Sequence, residues 1–163
     1  MIKEKTLNIL YSIYNRIVKT KGTVHSISLA VALGLFIGCI IPMGLQSIIV
    51  IPLAILLRIS KMLSFIFTWV TNPYTITFLY PIFILTGSKI MSIKTNVDQE
   101  INFSASEIFS KLFSVSTWTD FSSVKNDIII PFFLGAIILG AIIGILGYLI
   151  TYFLVYNYRK NKL

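Results

Sequence analysis

Long uncharged runs alternate with short charged segments along this chain. The uncharged runs extend from Ser26 to Leu57, from Met62 to Ser88 and from Ile128 to Tyr158. Apolar runs of this length are typical of helices that lie in a lipid bilayer, whose hydrocarbon core is about 30 Å thick. The pattern therefore predicts an all-α, polytopic integral membrane protein that forms a single domain over residues 1–163.

The first run, block 1 (residues 26–57), is interrupted near its middle by a proline and a glycine. As one straight helix it would be about 48 Å long, which is too long for a single crossing. Pro42 lacks a backbone donor, and Gly44 gives the chain the freedom to reverse. We therefore predict helical arms of about 16 and 13 residues that meet at a turn over Pro42–Gln46. This turn should reach the far interface or be sheltered from lipid.

The second run, block 2 (residues 62–88), is also interrupted. It contains Asn72-Pro73 and, further on, Pro81, and the residue before a proline is disfavoured in the helical region. Hydroxyl and amide side chains gather around the first of these prolines: Thr68, Thr71, Asn72, Thr75 and Thr77. The two blocks thus share one plan, in which a polar or proline break separates two short apolar arms.

The remaining segments flank these blocks. Residues 1–25 predict an amphipathic helix at the membrane interface, because apolar residues recur on one helical stripe. Residues 89–127 form a polar segment in which Ser104–Glu107 resembles a capping box, which predicts a second amphipathic helix, with Trp118 at headgroup level. Residues 128–158 predict a C-terminal transmembrane helix. Gly34 with Gly38, and Gly140 with Gly144, form GxxxG faces that we expect to pack against each other or between copies of the chain.

The charge distribution predicts the orientation. The formal net charge is +8, and the basic residues flank the apolar runs as the positive-inside rule requires of cytoplasmic segments. We expect both termini and residues 58–61 in the cytoplasm, and residues 89–127 outside. The alternative is that block 2 is itself a hairpin, which would leave residues 89–127 inside. Three or four segments would cross the membrane.

Three stretches resemble the signature of a bacterial membrane family, domain of unknown function (DUF) 2062. They are ALGLFIGCIIPMGLQS (32–47), AILLRIS (54–60) and FTWVTNPYTITFLY (67–80). The matching positions are Gly34, Phe36, Gly38, Pro42, Gly44 one position early, Gln46, Arg58, Thr68, Trp69, Asn72, Pro73, Thr75 and Tyr80. The chain departs from the pattern at Ser60, where Asn is common, and at Phe67, where Gly is favoured. The resemblance implies a multi-pass protein of the bacterial inner membrane. Because some members carry glycosyltransferase-like domains, it also implies a link to envelope lipid or glycan enzymes.

The paired breaks suggest a function. We expect them to face each other around a site that handles or transports a lipid or small solute. The candidate binding residues are Pro42, Gly44, Gln46, Arg58, Thr68, Trp69, Asn72, Pro73 and Thr75. An alternative is that the breaks are ordinary turns, and that the Gln46 and Asn72 carboxamides bond to each other for packing. A second alternative is a membrane scaffold that docks partner proteins through its glycine faces and amphipathic helices.

Other classes of function lack the necessary residues. Cys39 is the only cysteine and His25 the only histidine, and no nucleophile with a base in reach is visible, so we expect neither an enzyme nor a metal or cofactor site. His25 is expected to be an interfacial residue. The basic residues form no stripe and no nucleic-acid module, so the expected partner is the lipid bilayer.

Overall fold

The structure, a computed structural model, describes residues 16–41, 44–95 and 128–161. Within these residues the chain forms α-helices and no β-strand, which confirms the all-α prediction for this part of the chain. The helices are α1 (Val24–Ile40), α2 (Gln46–Leu56), α3 (Lys61–Thr68), α4 (Pro73–Thr95) and α5 (Ile130–Lys160).

Block 1 divides where its proline and glycine predict. α1 has 17 residues and α2 has 11, close to the expected arms. α1 begins after Thr23, whose hydroxyl accepts a hydrogen bond from the Ser26 backbone N–H at 3.1 Å. Between the helices, Gly44 has a φ of 101°, a conformation that side-chain-bearing residues rarely adopt. Pro42 lies outside the described residues.

Block 2 divides at Asn72-Pro73, since α3 ends at Thr68 and α4 begins at Pro73. The two arms are unequal, with 8 residues in α3 and 23 in α4. Pro81 does not interrupt the block a second time, because it lies inside α4 and the helix continues past it. α4 also continues beyond Ser88 to Thr95, into the segment predicted to be polar.

The last helix, α5, has 31 residues and starts two residues after the predicted beginning of the final run. At 1.5 Å per residue it is about 46 Å long. Residues 1–15 and 96–127 lie outside the described part of the chain, so the predicted amphipathic helices, including Trp118, stay predictions. The same is true of the capping box at Ser104–Glu107.

The chain divides into two compact units. Unit 1 comprises Met1–Trp69 and Ile142–Leu163, and therefore holds α1, α2, α3 and the second part of α5. A buried apolar cluster joins one end of each of these helices. It consists of Ile17, Ile27, Ala30, Ala54, Ile59, Leu63 and Val155. Because the end of α2 meets the start of α1 in this cluster, α1 and α2 form an antiparallel hairpin.

Unit 2 comprises Val70–Ala141 and contains α4 and the first part of α5. Its helices touch backbone to backbone. A Cβ added at Gly87 would lie 1.8 Å from the Pro131 carbonyl oxygen, and one at Gly135 would lie 1.8 Å from the Phe83 carbonyl oxygen. The Phe83 ring also packs edge-on against Phe132, with centroids 5.9 Å apart. Glycine is therefore required at both contacts.

Among the residues that the structure describes, two helices are long and apolar enough to cross a membrane, over Pro73–Met91 and Ile130–Lys160. α1 and α2 are apolar but shorter. Large apolar side chains are exposed on α2, α4 and α5, including Ile48 at 69% and Phe78 at 73%. Several buried side chains are polar, among them Gln46 and Thr68. So many large exposed apolar side chains on three helices are unusual for a water-soluble protein and are typical of surfaces that contact a membrane or a partner.

Candidate functional site at the helix junctions

The junction between α1 and α2 is closed by Gln46. The side-chain Nε2 of Gln46 donates hydrogen bonds to the Gly38 carbonyl at 3.2 Å and to the Ile41 carbonyl at 3.0 Å. The last carbonyls of a helix have no partner inside the helix, so the carboxamide satisfies the end of α1 from the first residue of α2. The Gln46 side chain is buried, and its amide is part of the turn.

The junction between α2 and α3 turns at Arg58. The Ile59 N–H donates to the Ala54 carbonyl at 3.0 Å, and the Arg58 N–H donates to the Ile55 carbonyl at 3.0 Å. This pair of bonds is the Schellman arrangement, whose first residue beyond the helix cap takes a left-handed conformation. Arg58 has that conformation, with a φ of 54°, and its side chain is exposed.

The end of α3 carries two further candidates. Thr68 is buried, and its hydroxyl donates to the Phe65 carbonyl at 2.7 Å, so this hydroxyl is satisfied within its own helix. Trp69 is the cap residue at the end of α3 and is 59% exposed. Of Thr68 and Trp69, therefore, only Trp69 has an exposed side chain.

The junction before α4 is closed by Asn72 and Thr75. The Asn72 Oδ1 accepts hydrogen bonds from the N–H groups of Tyr74 and Thr75, each at 3.0 Å. In return, the Thr75 hydroxyl oxygen accepts from the Asn72 N–H at 2.8 Å. This reciprocal pattern is a capping box, and Pro73 follows at the first helical position, where a missing N–H costs nothing. The side chains of Asn72 and Thr75 therefore stabilise the first turn of α4.

The candidate residues thus have local roles within their own junctions. Gln46 is brought together with Gly38, and Asn72 with Thr75. Gly44 supplies the positive φ of the first turn. The expectation that the two breaks face each other around a site stays a prediction, and so does the alternative of a hydrogen bond between the Gln46 and Asn72 carboxamides.

The two GxxxG faces have different partners in unit 1. A Cβ at Gly34 would lie 2.3 Å from the Ser64 carbonyl oxygen and 2.8 Å from the Phe67 Cβ, so Gly34 contacts α3. A Cβ at Gly144 would lie 3.2 Å from the Ala32 carbonyl oxygen, so Gly144 contacts α1. The simple pairing of one face with the other is therefore wrong at Gly34. Gly38 and Gly140 are both buried.

Four contacts, two in unit 1 and two in unit 2, were not predicted from the sequence. In unit 1, the Arg159 Nη1 donates to the Gly22 carbonyl at 2.8 Å, and the His25 Nδ1 lies 2.6 Å from the Tyr148 hydroxyl. In unit 2, the missed contacts are those of Gly87 and Gly135. Tyr148, Tyr152 and Tyr156 are spaced four residues apart on one face of α5, and their rings stack. This spacing is the only sequence signal for the unit 1 contacts.

Basic side chains gather at one end of unit 1. They adjoin the buried cluster in sequence, on the segment before α1, on the turn between α2 and α3, and at the end of α5. The described basic residues there are Arg16, Lys19, Lys21, Arg58, Lys61, Arg159 and Lys160. No Asp or Glu occurs among residues 16–41, 44–95 and 128–161. We call this set the basic end of unit 1.

Within the same described ranges, no three His, Cys, Asp or Glu side chains come together in a way that could hold a metal ion. Cys39 is a free, buried thiol. The junctions therefore contribute backbone geometry, amide and hydroxyl caps, and exposed cations.

In its described part the protein is all-helical, with capped breaks between apolar helices and two helices long and apolar enough to cross a membrane. The chain belongs to the family described as "Uncharacterized protein conserved in bacteria (DUF2062)", whose model matches residues 7–163. The resemblance carried by the junction motifs is thereby confirmed. No curated protein and no solved structure matches the chain.

Proposed function

We propose that this chain is a multi-pass protein of the bacterial inner membrane, with both termini in the cytoplasm, that handles a lipid in the cytoplasmic leaflet. The observation that carries the proposal is the hairpin of α1 and α2, which starts and finishes beside the basic end of unit 1. Helices of 17 and 11 residues are about 25 and 16 Å long, which is less than the hydrocarbon core of about 30 Å. A hairpin of this size fits within part of the bilayer and returns to its starting side.

The basic end supports the orientation. Lys and Arg near short membrane-flanking segments favour the cytoplasmic side, and anionic lipids of that leaflet attract them further. Three separate segments contribute cations to this end, so one orientation satisfies all of them.

The chemistry of the junctions supports a lipid over a small polar solute. The amide of Gln46 and the side chains of Asn72 and Thr75 are engaged in closing their own turns. A polar solute would have to displace these bonds, whereas an amphiphile can lie along the exposed apolar surface. Leu45 and Ile48, beside the first turn, offer such a surface at 55% and 69% exposure.

Cysteine labelling tests the membrane arrangement. In a Cys39→Ser background, a single cysteine at Leu45 reports the tip of the hairpin, and one at Lys160 provides a matched reference for the basic end. We expect a membrane-impermeant maleimide to label Lys160→Cys only in inverted vesicles, and never to label Leu45→Cys in intact cells. Labelling of Leu45→Cys from outside the cell would show a full crossing and overturn the hairpin proposal.

Lipid handling is tested in reconstituted vesicles. We expect vesicles that contain the protein to move a headgroup-labelled phospholipid between leaflets, or to release it to acceptor vesicles, faster than vesicles without protein. Identical rates, together with recovery of a stable protein partner in mild detergent, would replace this proposal with the scaffold alternative.

A further inference from the structure

Arg58 occupies a backbone position that favours another residue. The left-handed conformation at the end of a Schellman turn is most often filled by glycine, because a Cβ is crowded there. Arg58 holds this conformation at a φ of 54° and is the only described non-glycine residue with a positive φ. Its long charged side chain is therefore accommodated at a conformational cost.

The turn that carries Arg58 is firmly anchored. Ile59, the next residue, is 8% exposed and belongs to the buried cluster of unit 1. Ser60 then caps α3, since its hydroxyl accepts from the Leu63 N–H at 3.4 Å. The backbone on both sides of Arg58 is thus fixed, and the guanidinium projects from a defined point.

Two of the three arginines near the buried cluster, Arg58 and Arg159, have different surroundings. Arg159 donates to the carbonyls of Gly22 and Thr20 at 2.8 and 3.3 Å, which ties the end of α5 to the segment before α1. The Arg58 guanidinium has no hydrogen-bond or ion-pair partner among the described residues. Lys61, three positions further on, is also exposed. One arginine is structural, whereas Arg58 and Lys61 present their charges outward.

Apolar side chains surround this exposed charge. Leu56 is 77% exposed, Leu57 is 46% exposed and Met62 is 56% exposed. A cation between exposed apolar residues suits the boundary between headgroups and acyl chains, where the apolar groups enter the leaflet and the charge stays at the phosphates.

We infer that Arg58 and Lys61 bind the phosphate of an anionic lipid headgroup, with Leu56, Leu57 and Met62 in contact with its acyl chains. The planar guanidinium donates two parallel hydrogen bonds to phosphate oxygens, and the ammonium adds a point charge. This inference rests on the proposed membrane location and names the lipid class at the α2–α3 junction. The apolar neighbours favour a lipid over free phosphate, which offers nothing for them to contact.

The test is lipid retention by the full-length protein in detergent, measured by native mass spectrometry with added phosphatidylglycerol or phosphatidylcholine. We expect Arg58→Gly to lower retention of phosphatidylglycerol at least fivefold and to leave retention of phosphatidylcholine unchanged. Because glycine suits a positive φ, this variant should fold as well as the parent, with an unchanged or higher midpoint of thermal unfolding. Arg58→Lys should be intermediate, since it keeps the charge and loses the fork.

Arg16→Gln is the matched control, because Arg16 is an exposed cation near the same buried cluster. Equal losses from Arg16→Gln and Arg58→Gly would mean general charge attraction and would overturn the inference. Displacement of phosphatidylglycerol by an equal concentration of inorganic phosphate would also overturn it, in favour of a free-anion site. If Arg58→Gly loses lipid while Leu45→Cys stays unlabelled in intact cells, both the lipid site and the hairpin are supported. If the labelling pattern fails and the lipid loss remains, only the proposed membrane arrangement is wrong.

Discussion

The junctions at Gln46 and at Asn72 look alike in sequence and are closed in opposite ways. Both combine a proline with a carboxamide in an apolar run. Gln46 reaches back to the carbonyls of a helix that has ended, eight and five residues earlier. Asn72 reaches forward to the N–H groups of a helix that is starting, two and three residues later. The first contact joins two helices, and the second belongs to one helix alone.

The comparison teaches that the distance in sequence between the two partners of a capping hydrogen bond determines how much of the structure is affected when the bond is removed. A contact that spans a turn fixes the relation of two helices, so its removal should be felt throughout the hairpin. A contact within the first turn of α4 should be felt only where that helix begins.

The largest effect is expected for Gln46→Ala. It leaves two carbonyls at the end of α1 without their donor at a buried position, which costs about 1–3 kcal/mol. The midpoint of thermal unfolding in detergent should fall, and amide exchange should rise in both α1 and α2. Gln46→Glu keeps the shape but has no amide donor, so it should be equally damaging. A midpoint equal to that of Ser47→Ala, the neighbouring control, would contradict the role of the amide.

Gly44→Ala should have the next largest effect. The added methyl group meets nothing within 4 Å, so the whole cost comes from the φ of 101°, at about 1–2 kcal/mol. Gly44→Asn should cost less, because asparagine tolerates positive φ better than alanine. The free energies of unfolding of the two variants provide the measurement. Equal values would point to a different origin for the loss.

Asn72→Ala should cost about 1 kcal/mol, the usual loss for removing a helix N-cap. Faster hydrogen exchange should be confined to the amides of Tyr74 and Thr75, which lose their acceptor, and α1 and α2 should be unchanged. Asn72→Asp should restore protection, because a carboxylate accepts the same bonds and is favoured at a helix N-terminus. Exchange that spreads into the α1–α2 hairpin would remove the distinction between the two junctions.

The smallest effect is expected for Pro73→Ala, at about 0.5 kcal/mol. The ring restricts the unfolded chain and suits the first helical position, but the bonds between Asn72 and Thr75 remain. α4 should therefore begin at the same residue, as judged by the exchange rates of its first amides. A start shifted by a turn would mean that the ring, and not the capping box, sets the beginning of the helix.

Much of the helix layout could be predicted from local signals. The breaks at Gly44 and at Asn72-Pro73, and the extent of the last helix, follow from residues whose backbone preferences are strong. Local signals could not predict that the helix continues through Pro81. Its missing N–H is tolerated within an apolar helix when neighbouring structure satisfies the freed groups, and that depends on tertiary packing. The same holds for Pro52, which lies inside α2.

The roles of the candidate site residues were harder to predict. Sequence alone marks Gln46 and Asn72 as unusual, but which carbonyl or N–H they meet depends on the direction in which the chain turns. The left-handed conformation of Arg58 gives no local signal, because the residue there is not glycine. Likewise, Gly34 meets α3 because Phe67 and the Ser64 carbonyl fill the space above it, and this arrangement arises only in the folded unit.

The glycines of unit 2 limit which substitutions are possible where α4 contacts the start of α5. At Gly87 and Gly135 even a single methyl group would overlap a carbonyl oxygen of the opposite helix. In a scan of all single substitutions, these two positions should tolerate none of the other amino acids. We therefore expect homologous chains to vary on the outward surfaces of the two helices and to keep glycine at both contact positions.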